Sequence, residues 1–360
     1  MERVSADRTL GLEGGLGPRP GMMVAALAGV LGVTASARAG TWTVTPSLSV
    51  SAIYDDNLFF NDARLGATGL RAGPALIAEY QGSARFRLLG RAAVDSEYFG
   101  DPQVSSWAAR RSAGLTARYR LGAHTTASLS GDYALSAYAA ELVPTVGVEY
   151  GRRTAESLGT QVELEHRISS KIVLRLGYAM QALRLEGAGP GPGSQLSSDT
   201  ELALQVAPHT ILRLQAGPNY VTGSLGAHVA ANVERTRPRT RLSVGYERGR
   251  TLVFDRTLVV ESYTARLSYR VSPAINVSAS PALFRQWQFA AEQRSWHIGG
   301  TVWYRATSRL AAFVNHGYVV QDRGFFINPL TDRRGPPQLS RNSLTAGFIV
   351  GPHLREESRQ

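Results

Sequence analysis

The feature that most restricts this chain is a period of two. From about residue 42 onward, apolar and polar residues alternate over many short stretches, the repeat of a β-strand with two unlike faces. Ile172, Leu174, Leu176, Tyr178 and Met180 fall on one face, and Arg175, Gly177 and Gln181 on the other. The same split sets Leu115, Ala117 and Tyr119 against Thr116, Arg118 and Arg120. It sets Tyr263, Ala265, Leu267 and Tyr269 against Thr264, Arg266, Ser268 and Arg270, and recurs at Leu242, Val244, Tyr246 and at Leu344, Ala346, Phe348. Beyond residue 39 no apolar run approaches the roughly 20 residues of a membrane-spanning helix. Two folds remain: a soluble sandwich, whose apolar faces meet one another, and a membrane barrel, whose apolar faces meet lipid.

The connections choose between them. Tight turns are expected at 81–82, 122–123, 168–170, 208–209, 237–238, 272–273 and 307–308. Between them lie longer, polar or glycine-rich stretches at 55–66, 100–106, 139–153, 186–195, 223–226, 254–257, 288–293 and 322–339. Strict alternation of short and long connections is the habit of an outer-membrane barrel, with short periplasmic turns and longer outer loops. A Greek-key sandwich has no reason for it. The expected fold is all-β, an antiparallel up-and-down transmembrane barrel of about 16 strands, or 14–18 if a hairpin is miscounted. Pro46, Pro74, Pro218 and Pro281 lie inside strand spans and, lacking a donor, should mark bulges or strand ends.

The N-terminus reads as an address. Arg8 and Arg19 supply a positive region, 22–33 an apolar stretch, and Ala37-Arg38-Ala39 a cleavage site. The expected organisation is a signal peptide at 1–39, a barrel at 40–353 and a short polar tail at 354–360, destined for the outer membrane of a Gram-negative bacterium. The absence of cysteine excludes a disulfide scaffold and Cys-ligated metals. The net charge of +11 is nearly all arginine, Lys171 being the only lysine. These arginines are scattered singly, which argues against a nucleic-acid partner.

Three segments share one plan: Tyr119-Arg120-Leu121-Gly122, Tyr269-Arg270-Val271-Ser272 and Tyr304-Arg305-Ala306-Thr307, with Tyr80 before Gln81-Gly82 as a relative. Each tyrosine sits just inside a tight turn on the apolar face, where an interfacial aromatic belt belongs. The polar face is rich in arginine: Arg71, Arg85, Arg87, Arg91, Arg110, Arg118, Arg120, Arg175, Arg213, Arg241, Arg266, Arg270 and Arg305. Glu79, Asp95, Asp132, Glu163, Glu165, Glu234 and Glu247 share that face. Either the opposite charges pair across neighbouring strands, or the lumen keeps a positive excess that favours anionic or sugar-like solutes. No outer loop reads as an obvious folded lid; 322–339, with Phe325-Phe326, is the one long enough to fold inward. None of the seven histidines falls in a catalytic motif, and Asp55-Asp56-Asn57 suits an ordinary loop as well as a cation. Neither an enzyme nor a cofactor or metal site is expected.

The start of the mature chain is the most distinctive segment. Thr45-Pro46-Ser47-Leu48-Ser49-Val50-Ser51-Ala52-Ile53-Tyr54-Asp55-Asp56-Asn57-Leu58-Phe59 resembles the opening strand of a group of outer-membrane β-barrel porins associated with exopolysaccharide gene clusters. The resemblance covers about 15 residues. It implies a barrel, a role in polysaccharide export and a periplasmic export protein as partner, alongside membrane lipid, lipopolysaccharide and the barrel-insertion machinery. One departure is that Pro352-His353-Leu354 and a polar tail follow the last strand, so the insertion signal is internal or unusual. Three functions are carried forward: an exopolysaccharide conduit, a general diffusion porin for small polar or anionic solutes, and a non-transporting surface barrel.

Overall fold

The computed structural model describes residues 40–61, 63–100, 107–137, 154–185, 193–253, 256–288, 291–322 and 338–352. The segment expected to be a signal peptide, the polar tail and most of the 322–339 connection lie outside the described residues. The strands are β1 (Thr41–Asp55), β2 (Ala67–Gln81), β3 (Phe86–Phe99), β4 (Trp107–Arg120), β5 (Thr125–Ser136), β6 (Ala155–Arg167), β7 (Ile172–Leu185) and β8 (Gly193–Ala207). They continue as β9 (Thr210–Val221), β10 (Ser224–Thr236), β11 (Thr240–Val253), β12 (Arg256–Arg270), β13 (Ile275–Gln288), β14 (Ala291–Arg305), β15 (Leu310–Asp322) and β16 (Gln338–Val350). Each pairs antiparallel with its chain neighbours, and β1 pairs with β16, so the sheet is closed and has no free edge along its circuit.

The alternation fixes which face is which. Leu70, Leu115, Leu129, Leu158, Trp296 and Phe348 are all more than half exposed and all point outward. A water-soluble surface does not carry so wide an apolar coat, whereas lipid requires one. The inward residues of the same strands are mostly charged, amide, hydroxyl or glycine.

The periplasmic turns are built on hydroxyls. Ser83 Oγ accepts hydrogen bonds from the Arg85 and Phe86 amides (both 3.1 Å). Ser272 does the same for Ala274 and Ile275, and Thr307 for Arg309 and Leu310, at 3.0–3.2 Å. A hydroxyl three residues after the tyrosine therefore satisfies two turn amides. That accounts for the spacing of the repeat at Tyr80, Tyr269 and Tyr304.

Two expectations need correction. The short–long alternation is not strict: two residues only separate β9 from β10, β11 from β12 and β13 from β14 on the outer side. The strands there run further than composition suggested, and Thr222 (φ 39°) and Gly223 (φ 83°) form the tight left-handed turn that a two-residue hairpin demands. The prolines are neither bulges nor strand ends. At Pro74, Pro218 and Pro281 the ladder lapses on one side for two pairs and resumes in the same register, because a residue without an N–H cannot close that rung. The register shift lies elsewhere, between Gln205 and Ala207.

Candidate functional site in the lumen

The periplasmic half of the wall carries a ladder of alternating charge. Arg175 on β7 donates to Glu165 on β6 (2.9 Å) and to Glu201 on β8 (2.5 Å). Arg213 on β9 approaches Glu201 (3.9 Å) and donates to Glu234 on β10 (2.8 Å), which also accepts from Arg241 on β11 (2.9 Å). Glu163 stands 4.0 Å from Arg175. Six successive strands thus contribute one charge each in strict alternation, and the pairing alternative is realised along β6–β11. Glu201 was the rung not singled out in the sequence; it is the direct register partner of Arg175.

The other arginines are placed differently. Arg87 pairs with Glu79 (2.8 Å). Arg71 (2.5 Å) and Arg110 (3.7 Å) converge on Glu97, which is fully buried. Arg91 lies along the wall over Gly114. Arg118 and Arg266 face the lumen on exposed positions. Arg120, Arg270 and Arg305 stand at the periplasmic rim, where Arg305 donates to the Pro273 carbonyl (2.8 Å). Arg85 is in the β2–β3 turn, not on a strand. Tyr119, Tyr269 and Tyr304 are outward and nearly half exposed, while Tyr80 is half-buried and stacks 4.8 Å from Trp42.

The outer half of the lumen is narrowed from two sides. The β1–β2 connection folds inward: Leu58 and Phe60 are buried, Leu58 in a cluster with Ile53, Ala67, Phe99 and Ala137, and Phe60 against Val319 and Leu339. All of these but Ala137 sit on inward positions or in the connection itself. The 322–339 connection, which the sequence left free to fold inward or protrude, lies mostly outside the described residues; among those described, the inward-folded connection is 56–66. Its anchor is the Asp55-Asp56-Asn57 segment. Asp55 accepts from Arg341 on β16 (2.8 and 2.5 Å), and Asp56 accepts from the Asn342 backbone and side-chain amides (2.5 and 2.8 Å). Asn57 donates to the Asn61 and Ser340 carbonyls. These residues clasp the closing seam, and no group of three or more metal-ligating side chains occurs among the described residues.

A second narrowing lies on the β8–β12 side. β10 pairs with β11 only from Val229↔Arg248 downward, so the tip of the β11–β12 hairpin leaves its neighbour. It leans over the inner face of the shorter β9–β10 hairpin. Asn219 Nδ2 donates to the Arg250 carbonyl (2.9 Å), and Thr257 Oγ1 to the Val221 carbonyl (3.3 Å). The Arg250 side chain lies where a Cβ on Gly226 would be. Beneath the tip is a recess of about 210 Å³ whose lining includes Gln195, Asp199, Asn219, His228, Glu247 and Arg250. His228 bridges the two carboxylates, 3.0 Å from Asp199 and 3.2 Å from Glu247. Glu247 was expected on the lumen face; His228, Asp199 and Asn219 were not singled out, although all lie on the polar face of the alternation.

No protein-family model and no curated protein sequence matches the chain. Solved structures do. OccAB4 of Acinetobacter baumannii aligns over 86% of this chain and 98% of its own, with a TM-score of 0.50 at 9% identity. An anion-selective porin from Comamonas acidovorans aligns over 87% and 99% (TM-score 0.48, 13% identity), and outer-membrane-expressed OmpT of Vibrio cholerae over 87% and 98% (TM-score 0.47, 14% identity). At such identities the likeness is one of fold, and the fold of OccAB4 is shared: a closed antiparallel barrel of the outer-membrane kind.

Proposed function

We propose that this protein is a passive outer-membrane channel for hydroxyl-rich, weakly charged molecules, and that its cargo is an exported exopolysaccharide chain handed over by a periplasmic export protein. The observation that carries the channel reading is the ladder Glu165–Arg175–Glu201–Arg213–Glu234–Arg241. Three carboxylates and three guanidiniums neutralise one another along six strands. Such a wall stays wetted yet offers no strong counter-ion trap, so a polar solute can enter without being held. The recess beneath the β11–β12 tip presents amide, imidazole, carboxylate and guanidinium groups, which together donate to and accept from sugar hydroxyls. The likeness of 45–59 to exopolysaccharide-cluster porins supports the cargo.

A general diffusion porin is the second reading. It is favoured by the two inward-folded elements, which narrow the mouth as a solute filter would. Reconstitution in planar bilayers tests the channel. Conductance with a cation-to-anion permeability ratio near one is expected, and absence of conductance overturns the proposal. Glu201→Gln, which leaves two guanidiniums without their shared carboxylate, should shift selectivity toward anions by about two- to threefold. Deleting the gene separates the cargoes: loss of surface polysaccharide supports export, and unchanged polysaccharide with intact conductance leaves the diffusion porin.

A further inference from the structure

The outward face holds charges that the channel does not use. On β11–β14 the lipid-facing residues read apolar from the periplasmic rim upward and then switch. Leu242, Val244 and Tyr246 precede Arg248; Tyr269, Leu267 and Tyr263 precede Glu261; Val277 and Leu283 precede Arg285; Tyr304, Val302, Ile298 and Trp296 precede Arg294. From Tyr304 to Trp296 is about 26 Å along the strand at ~3.3 Å per residue, or about 20 Å along the membrane normal at the usual strand tilt. The switch therefore falls at the edge of an apolar band about 25 Å tall, at the headgroup depth of the outer leaflet.

The charges there do not balance. Arg285 and Arg294 are directly opposed in register, an arrangement that repels unless something negative lies between them. Glu292 does so in part: its Oε1 accepts from Arg285 Nε (2.7 Å) and Arg294 Nε (2.9 Å). Arg248 lies 3.5 Å from Glu261, and Arg248 and Arg285 hold their guanidiniums 6.0 and 5.7 Å from the Trp287 ring. Three guanidiniums face two carboxylates. The Arg248 and Arg294 side chains remain 55% and 56% exposed. Below the pair is a hollow lined by Tyr263, Leu283, Arg285, Arg294 and Trp296, apolar at its lower edge and cationic at its upper edge.

We infer that this face binds the phosphate-bearing headgroup of an outer-leaflet glycolipid of the lipid A type. An acyl chain lies on Leu283 and Trp296, and the sugar-linked phosphate lies against the Nη groups of Arg285 and Arg294, whose Nε groups already donate to Glu292. An exposed guanidinium at this depth has no other abundant anion beside it. The site is on the exterior, so it stands or falls independently of the cargo in the lumen.

Thermal unfolding of the purified full-length barrel in detergent tests it, with three probes: bisphosphorylated lipid A, the same lipid stripped of phosphate, and inorganic phosphate. Bisphosphorylated lipid A should raise the Tm by a few degrees. The stripped lipid and free phosphate should not. Arg285→Gln with Arg294→Gln should abolish the shift, Arg294→Lys should retain most of it, and Glu292→Gln should enlarge it. Equal stabilisation by the stripped lipid or by inorganic phosphate overturns the site, as does an undiminished shift in the double variant. If that variant fails to fold, Arg248→Gln and Glu292→Gln must move the lipid response in opposite directions; any other result overturns it.

Discussion

The mouth of this barrel is narrowed by two elements held in place in different ways. The β1–β2 connection is an apolar wedge: Leu58 and Phe60 are buried, and the clasp between Asp55 and Arg341 fixes its root to the closing seam. The end of the β11–β12 hairpin is held to its neighbours by single hydrogen bonds from Asn219, Thr257 and Thr251. A wedge held by burial and by a buried ion pair keeps one position. A tip held by separate neutral hydrogen bonds, each worth about 1 kcal/mol net, can adjust to what passes. On this view the first element sets the aperture, and the second is the rim that a solute meets.

The comparison is most easily broken at the clasp. Asp55 is almost fully buried, so Asp55→Asn leaves the Arg341 guanidinium facing a neutral amide. The loss should be about 3–5 kcal/mol, the range for removing one partner of a buried pair. Urea unfolding of the barrel refolded into lipid vesicles measures it. A loss below about 1 kcal/mol would show that the wedge holds itself by apolar contact alone. Leu58→Ala comes next, at about 3 kcal/mol, since the hole it opens lies among Ile53, Ala67 and Phe99. The same unfolding measurement applies, and single-channel conductance should rise as the wedge loosens.

Much of this was legible in the sequence. The period of two assigned the strands and their two faces, and the count of tight turns gave the barrel and its strand number, because in a barrel every strand obeys one rule. The strand ends were less legible: the stretches near 223–226, 254–257 and 288–293 look like loops by composition, yet lateral pairing extends the strands through much of them. Partners within the lumen were not legible. That Arg175 faces both Glu165 and Glu201, or that His228 reaches Asp199 and Glu247, depends on register between strands, which alternation within one strand does not record. The wedge did leave a signal. A loop containing Leu58-Phe59-Phe60 and Leu65 carries more apolar surface than water favours, and Asp55-Asp56-Asn57 reads as a loop former until β16 is brought beside it.

The β11–β12 tip should respond more gently. Asn219 is 3% exposed and donates to the Arg250 carbonyl. Asn219→Ala removes that anchor at a cost of about 1 kcal/mol. Its larger signature should be electrical, with conductance fluctuations increasing as the tip moves. A variant as quiet as the parent protein would mean that the tip is fixed by its own hairpin and that the contrast with the wedge is false.

The smallest change in stability is expected at Gly226, and it separates the two elements most cleanly. A Cβ there would come within 2.6 Å of Arg250 Cδ. What it meets is a flexible side chain rather than backbone, so the fold can yield by moving the guanidinium. Gly226→Val should therefore cost less than about 1 kcal/mol, a β-branched residue being at home in a strand. Arg250 would be displaced from the inner wall toward the lumen. One added cation in the aperture should shift the reversal potential in a salt gradient toward anion selectivity, and the shift should shrink at high ionic strength as the charge is screened. A reversal potential unchanged at low salt would place Arg250 away from the ion path. The β11–β12 tip would then be part of the wall, with the wedge alone defining the mouth.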